Sequence, residues 1–144
     1  MWTEFLFIIV SIIIHLVMIG IFFSRRYKNK KIENILGYVF LITAFPIVIV
    51  MIQFIRDRYP IWILIYLGIL LVFYIAELIL DYLWKIPFRS NLKILIPYLL
   101  LYYVACMGLV AINFTLNISV GIVNLILYFT QMIIGIIQER RKRA

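Results

Sequence analysis

Residues 94–137 carry no charge at all. As one helix that stretch would run roughly 66 Å at ~1.5 Å per residue. The hydrocarbon core of a bilayer is only about 30 Å thick. The run is too apolar for a small soluble domain and too long for a single crossing, so it must turn back on itself. Asn113, Thr115, Asn117 and Ser119 mark the expected turn, because short polar side chains can satisfy a turning backbone.

Residues 5–23, 35–55 and 61–84 are also apolar enough and long enough to cross. With 94–114 and 118–137 they make five expected spans in a single integral membrane domain, residues 1–144. Composition agrees, at 67% hydrophobic and 14% charged. A soluble fold of this length has too little interior to hide that much apolar surface. The expected fold class is therefore an all-α, polytopic membrane helix bundle.

Basic residues set the expected orientation. The first loop holds Arg25, Arg26, Lys28, Lys30 and Lys31, the third holds Lys85, Arg89 and Lys93, and the tail holds Arg140, Arg141, Lys142 and Arg143. With five spans these segments share one side, and they contain 12 of the 14 basic residues. The other side has Arg56 and Arg58, with Asp57 between them. The split predicts an outside N-terminus and a cytoplasmic C-terminus, whereas a four-span count would separate the first loop from the basic tail. Trp2, Tyr59 and Trp62 fall at the outer boundary and Tyr27, Tyr82 and Trp84 at the inner one, as two aromatic belts. The net charge of +8 thus reads as attraction to anionic lipid at the cytoplasmic face and not as a nucleic-acid surface.

Several classes are excluded or disfavoured. A single cysteine, Cys106, allows no disulfide within the chain. One His and one Cys cannot build a tetrahedral zinc site, and no cofactor is implied. The start lacks the basic region of a secretory signal, so the first helix is expected to stay as an anchor. There is no internal repeat, phosphate loop or Ser–His–Asp set, and the loops are too short for a catalytic domain. Asn113-Phe114-Thr115 and Asn117-Ile118-Ser119 match the glycosylation pattern but sit in too tight a turn.

What remains is a set of polar positions inside the spans. Intramembrane ionisable residues are costly, so each needs a partner or a purpose. The third span carries Tyr74, Glu77, Asp81 and Lys85 at three–four spacing, one helix face. Pro87 disfavours helix at Ile86, so this helix should end near Lys85, with Arg89 close by in the loop. Lys85 and Arg89 are the expected partners of the two acids at the helix end. Asp81 is explained as an interfacial anchor; Glu77 lies too deep for that.

The other spans carry stripes too. The first has Glu4, Ser11 and His15; the second has Tyr38, Thr43 and Pro46, with a kink expected at the proline. The fourth has Tyr98, Tyr102 and Cys106. The fifth alternates Asn117, Gly121, Asn124, Tyr128, Gln131, Gly135 and Gln138, a packing seam for its own bundle or for a second copy. Counted inward from the basic end, His15, Thr43, Glu77, Tyr102 and Gln131 come to roughly the same depth, about 10–13 Å, with Tyr128 one turn deeper. The expected site is a polar cluster of Glu77, Asp81, His15, Tyr102, Tyr128 and Gln131, with Glu77 bonded to one of His15, Tyr102, Tyr128 or Gln131.

Two functions fit these residues best, ahead of a third, a membrane-embedded enzyme with Glu77 and Asp81 as acid and base and Lys85 and Arg89 holding a lipid phosphate. One is transport or binding of a proton, cation or small ligand at Glu77. The other is a non-catalytic assembly or regulatory subunit that meets a larger membrane partner, or forms a homo-oligomer, through the seam at Gly121, Asn124 and Gly135. The expected address is the plasma (inner) membrane of a prokaryote; the abundant isoleucine reads as genome composition.

Overall fold

The computed structural model describes residues 2–143, apart from the side chains of Glu139, Lys142 and Arg143, so the last part of the basic tail lies outside the described side chains. The chain is 90% helix, with no strand among the described residues. Five stretches are long and apolar enough to cross a membrane: Trp2–Arg26, Lys30–Arg56, Ile61–Leu83, Leu92–Leu116 and Ile118–Gln138. Many of their residues are isoleucine and valine, which are mediocre helix formers in water. In hydrocarbon only a helix satisfies every backbone polar group from within one segment.

The first stretch is α1, Trp2–Arg26. The second divides into α2, Lys30–Ile42, and α3, Ala44–Arg56. The third begins as α4, Ile61–Glu77, and widens into a π-helical turn, Leu78–Leu83. A short 3-10 turn, Phe88–Ser90, leads into α5, Leu92–Leu116, and α6 runs from Ile118 to Arg143.

Helix ends have local causes. Lys28 follows α1 with φ 55°, and Arg58 follows α3 with φ 55°. A left-handed residue just past a helix lets the next N–H reach back five residues. Asn29 N–H accordingly donates to Ser24 O at 2.9 Å, and Tyr59 N–H to Phe54 O at 3.0 Å. The break between α2 and α3 falls at Thr43, three residues before the expected kink at Pro46. Proline has no N–H for the Ile42 carbonyl. Tyr74 donates to the Thr43 hydroxyl at 2.5 Å, and that hydroxyl donates to Phe40 O, so the loosened backbone is held from α4.

The expected turn at 113–119 proves narrower. Asn117 alone makes it, in an extended conformation, and its side chain accepts from Ser119 N–H at 3.0 Å and Val120 N–H at 3.3 Å. This caps the start of α6. Asn113 and Thr115 remain inside α5. Asn113 has a better use for its amide, donating to Ser11 Oγ at 2.9 Å and Leu109 O at 2.8 Å.

The helices form a closed ring. α1 packs against α2, α3 and α6; α3 packs against α4, α4 against α5, and α5 against α6. Phe7, Ile14, Phe40, Ile47, Phe54 and Phe73 fill the centre, while Phe45, Ile61 and Ile118 are among many large apolar side chains on the outside. An apolar exterior on this scale suits hydrocarbon and not water.

Candidate functional site

Glu77 is the last α-helical residue of α4, and it points inward with only 6% of its surface exposed. Tyr98 of α5 donates its hydroxyl to the Glu77 carboxylate. The expected partners His15, Tyr102, Tyr128 and Gln131 do not bond to it. Tyr98, one turn nearer the basic end than Tyr102, supplies the proton donor instead.

Beyond Glu77 the π-helical winding breaks the even stripe of the sequence. Asp81 turns to Arg89, whose guanidinium donates to it at 2.8 Å. Burial works against the charge on Arg89, but Asp81, Tyr98 and Glu77 together outweigh it and hold the guanidinium pKa above its ordinary value. Lys85 lies past the helix at φ 48° and is exposed, in neither of the two ion pairs found among the described residues. The second pair joins Arg25, in the last turn of α1, to Glu33 of α2 at 2.6 Å. Neither arginine comes within ion-pair distance of Glu77.

These groups surround a cavity of about 340 Å³ between α1, α5 and α6, floored by Glu77. Arg25 and Arg89 reach it, Tyr98, Tyr102 and Tyr103 line it from α5, and Gly135 and Gln138 line it from α6. Gly135 keeps one wall open: a Cβ there would meet only Tyr103 Oη at 3.7 Å and Phe22 Cζ at 3.8 Å. Gln138 is tied by its amide to the Phe22 carbonyl.

A second polar layer lies deeper. His15 Nδ1 faces Gln131 Oε1 at 3.3 Å, with both residues fully buried. Cys106 sits beside Gln131 and Tyr102 and links this pair to the cavity wall. Among the described residues, His15 Nε2, Gln131 Nε2 and the Tyr102 hydroxyl have no hydrogen-bond partner, though all three are buried. Unmet polar atoms in a core are costly unless something polar reaches them.

Deeper still, Ser11 and Asn113 bond to each other, and Asn124 donates to Val120 O while its carbonyl stays unpartnered. At the far end Tyr59 donates to Glu4. Glu77, Tyr98, Tyr102, Arg89 and Gly135 thus share one cavity, and His15 and Gln131 form the layer behind it. Tyr128 is buried with no hydrogen bond among the described residues, and Thr43 bonds to Tyr74 and not to the cavity groups. Gly121 and Asn124 belong to the α5–α6 contact at the opposite end. The fifth-span seam is spent inside this chain, against α5 and α1.

Sequence reasoning missed Arg25, Phe22 and Tyr103 as cavity residues. Arg25 reads as one of five basic loop residues, and its eight-residue spacing to Glu33 across a turn was the available signal. No protein family, curated protein or solved structure matches the chain.

Proposed function

We propose that this is a small integral membrane protein, of the plasma membrane of a prokaryote, that binds a proton, cation or small ligand at Glu77 and moves it across the bilayer. One observation carries the reading: a buried carboxylate with no ion-pair partner among the described residues lines a roomy cavity. A purely structural acid would be matched by a base, as Asp81 is matched by Arg89. The unmet polar atoms of His15, Gln131 and Tyr102 support a continuing path, because they extend the polar surface from the cavity toward the centre of the bundle.

The subunit reading drew its support from the α6 seam, and that seam is occupied within the bundle. In the orientation we propose, the ends bearing Lys30 and Arg141 are cytoplasmic and face anionic lipid. Single cysteines at Lys30 and Arg141, in a Cys106→Ser background, are expected to label only from the cytoplasmic side, and one at Asp57 only from outside. Labelling of Lys30 and Arg141 from opposite sides would exclude five spans.

The function is tested by flux in liposomes. Glu77→Gln keeps the shape and can still accept from Tyr98, but an amide neither titrates nor carries charge. It is expected to leave the melting temperature close to that of the parent and to abolish proton or cation flux. Asp81→Asn should be milder, since Asp81 is paired with Arg89 and does not itself line the cavity. Equal flux in parent and Glu77→Gln liposomes would end the transport reading.

A further inference from the structure

The cavity is reached by three charged side chains, Arg25, Arg89 and Glu77. Two of them are already matched, Arg25 by Glu33 at 2.6 Å and Arg89 by Asp81 at 2.8 Å. Glu77 has no ion-pair partner among the described residues; it accepts from the neutral hydroxyl of Tyr98 and has the Asp81 carboxylate near it. Two arginines against Glu33, Asp81 and an ionised Glu77 leave one negative charge, which either a proton on Glu77 or a cation bound beside it neutralises.

The walls narrow the class of cation. They are mostly apolar, with the rings of Phe22, Tyr98, Tyr102 and Tyr103 around the space and Met18 and Leu99 beside them. A hard metal cation needs some six oxygen ligands to replace its water, roughly. This cavity offers one carboxylate and a few phenol groups, and no group of three or more His, Cys, Asp or Glu occurs among the described residues. An alkylated ammonium needs no such shell. It gains from one carboxylate and from the faces of aromatic rings.

We propose that the ligand is an amphiphilic organic ammonium cation, which enters the cavity in exchange for the proton of Glu77. This rests on the binding reading above and names its ligand class. The exchange balances: the cation pairs with the carboxylate, the carboxyl proton leaves to water, and the charge in the cavity is unchanged. Binding therefore weakens as pH falls, because protons compete for the same group. Arg25 from α1, Asp81 and Tyr82 from the π-helical turn, Arg89 from the loop and Tyr98 from α5 are the charged or titratable groups around Glu77; α6 presents the neutral Gln138. The arginines keep their charge at any working pH, so they do not supply the competing titration.

The test is calorimetry on the full chain in detergent, with three probes: benzyltrimethylammonium, phenylmethanesulfonate as its counterpart of similar shape and opposite charge, and sodium. Buffers of different ionisation enthalpy count the protons released. Benzyltrimethylammonium is expected to bind with proton release, and more weakly at acid pH. Glu77→Gln should weaken it by at least about tenfold. Gly135→Leu, which fills the cavity and leaves Glu77 intact, should weaken it comparably, so the proposal stays testable if one variant folds poorly. Tighter binding of the sulfonate, or ammonium binding indifferent to Glu77→Gln, overturns the inference. Glu77-dependent binding of sodium alone overturns it and leaves the broader binding reading standing. Failure of every probe to depend on Glu77 overturns the inference, and the liposome flux of Glu77→Gln then decides the broader reading separately.

Discussion

Gly121 and Gly135 lie on the same seam of α6, and in the sequence they look alike. At Gly121 a Cβ would fall on the ring and the backbone Cα of Phe114, closer than real atoms approach. At Gly135 it would make only ordinary contacts with Tyr103 and Phe22. The first glycine lets α5 and α6 close just beyond their turn; the second leaves space beside the charged floor. One end of the bundle is thus tightly packed and the other is hollow. Small residues in a membrane helix carry two meanings, and the neighbour's side chain decides between them.

The largest effect expected from this contrast is on stability. Gly121→Ala should lower stability by about 1–3 kcal/mol, because the Phe114 backbone cannot yield as a flexible side-chain tip could. Gly135→Ala should stay within about 0.5 kcal/mol of the parent, as changes away from tight features do. Thermal melts of both variants in one detergent make the comparison. Equal losses would mean that the two ends are packed alike. Gly135→Leu is expected to fill the cavity and leave the helix contacts in place.

The His15–Gln131 pair marks the border between the two regions, and its energetics sharpen the comparison. Gln131→Leu alone strands His15 Nδ1 in the core and should cost about 1–3 kcal/mol. The double variant Gln131→Leu with His15→Phe removes both polar groups and should recover most of that loss. Recovery would mark the layer as dispensable for folding, and hence kept for another reason. A double variant no more stable than the single one would show that the pair itself stabilises the bundle.

The five helices were legible because the bilayer leaves length and apolarity as nearly the whole code. The end of the third span near Lys85 was legible from Pro87. The partner of Glu77 was not. Depth along a helix can be counted from sequence, but azimuth between helices cannot, and a single residue type offers several tyrosines at neighbouring depths. Tyr98 and Tyr102 differ by one turn on the same face of α5, and only the packing of α5 against α4 selects between them. The π-helical widening that precedes the Asp81–Arg89 pair likewise has no marker in Leu78–Leu83. Arg25 was hidden for a different reason: charges in loops look interchangeable until a fold pairs one of them, here with Glu33.

The smallest expected effect tests the packed end from its rim, where Tyr59 donates to Glu4 and stacks on Phe54 with centroids 4.1 Å apart. Burial first, and then the Glu4 hydrogen bond, push the Tyr59 hydroxyl up from an ordinary 10.0 to about 12. A group whose pKa is raised by folding favours its protonated form in the folded state. Its contribution is whole below the unfolded value and disappears as pH rises through the folded one. Tyr59→Phe keeps the stacking and removes only the hydroxyl. At neutral pH it should cost at most about 1 kcal/mol, a typical net hydrogen bond at a partly exposed site. The gap between parent and variant should close as pH climbs from about 10 to about 12, the interval between those two values. Melting curves of the two proteins across that range measure it. A gap that persists unchanged at the alkaline limit would mean that the hydroxyl is not what ties α1 to the loop before α4.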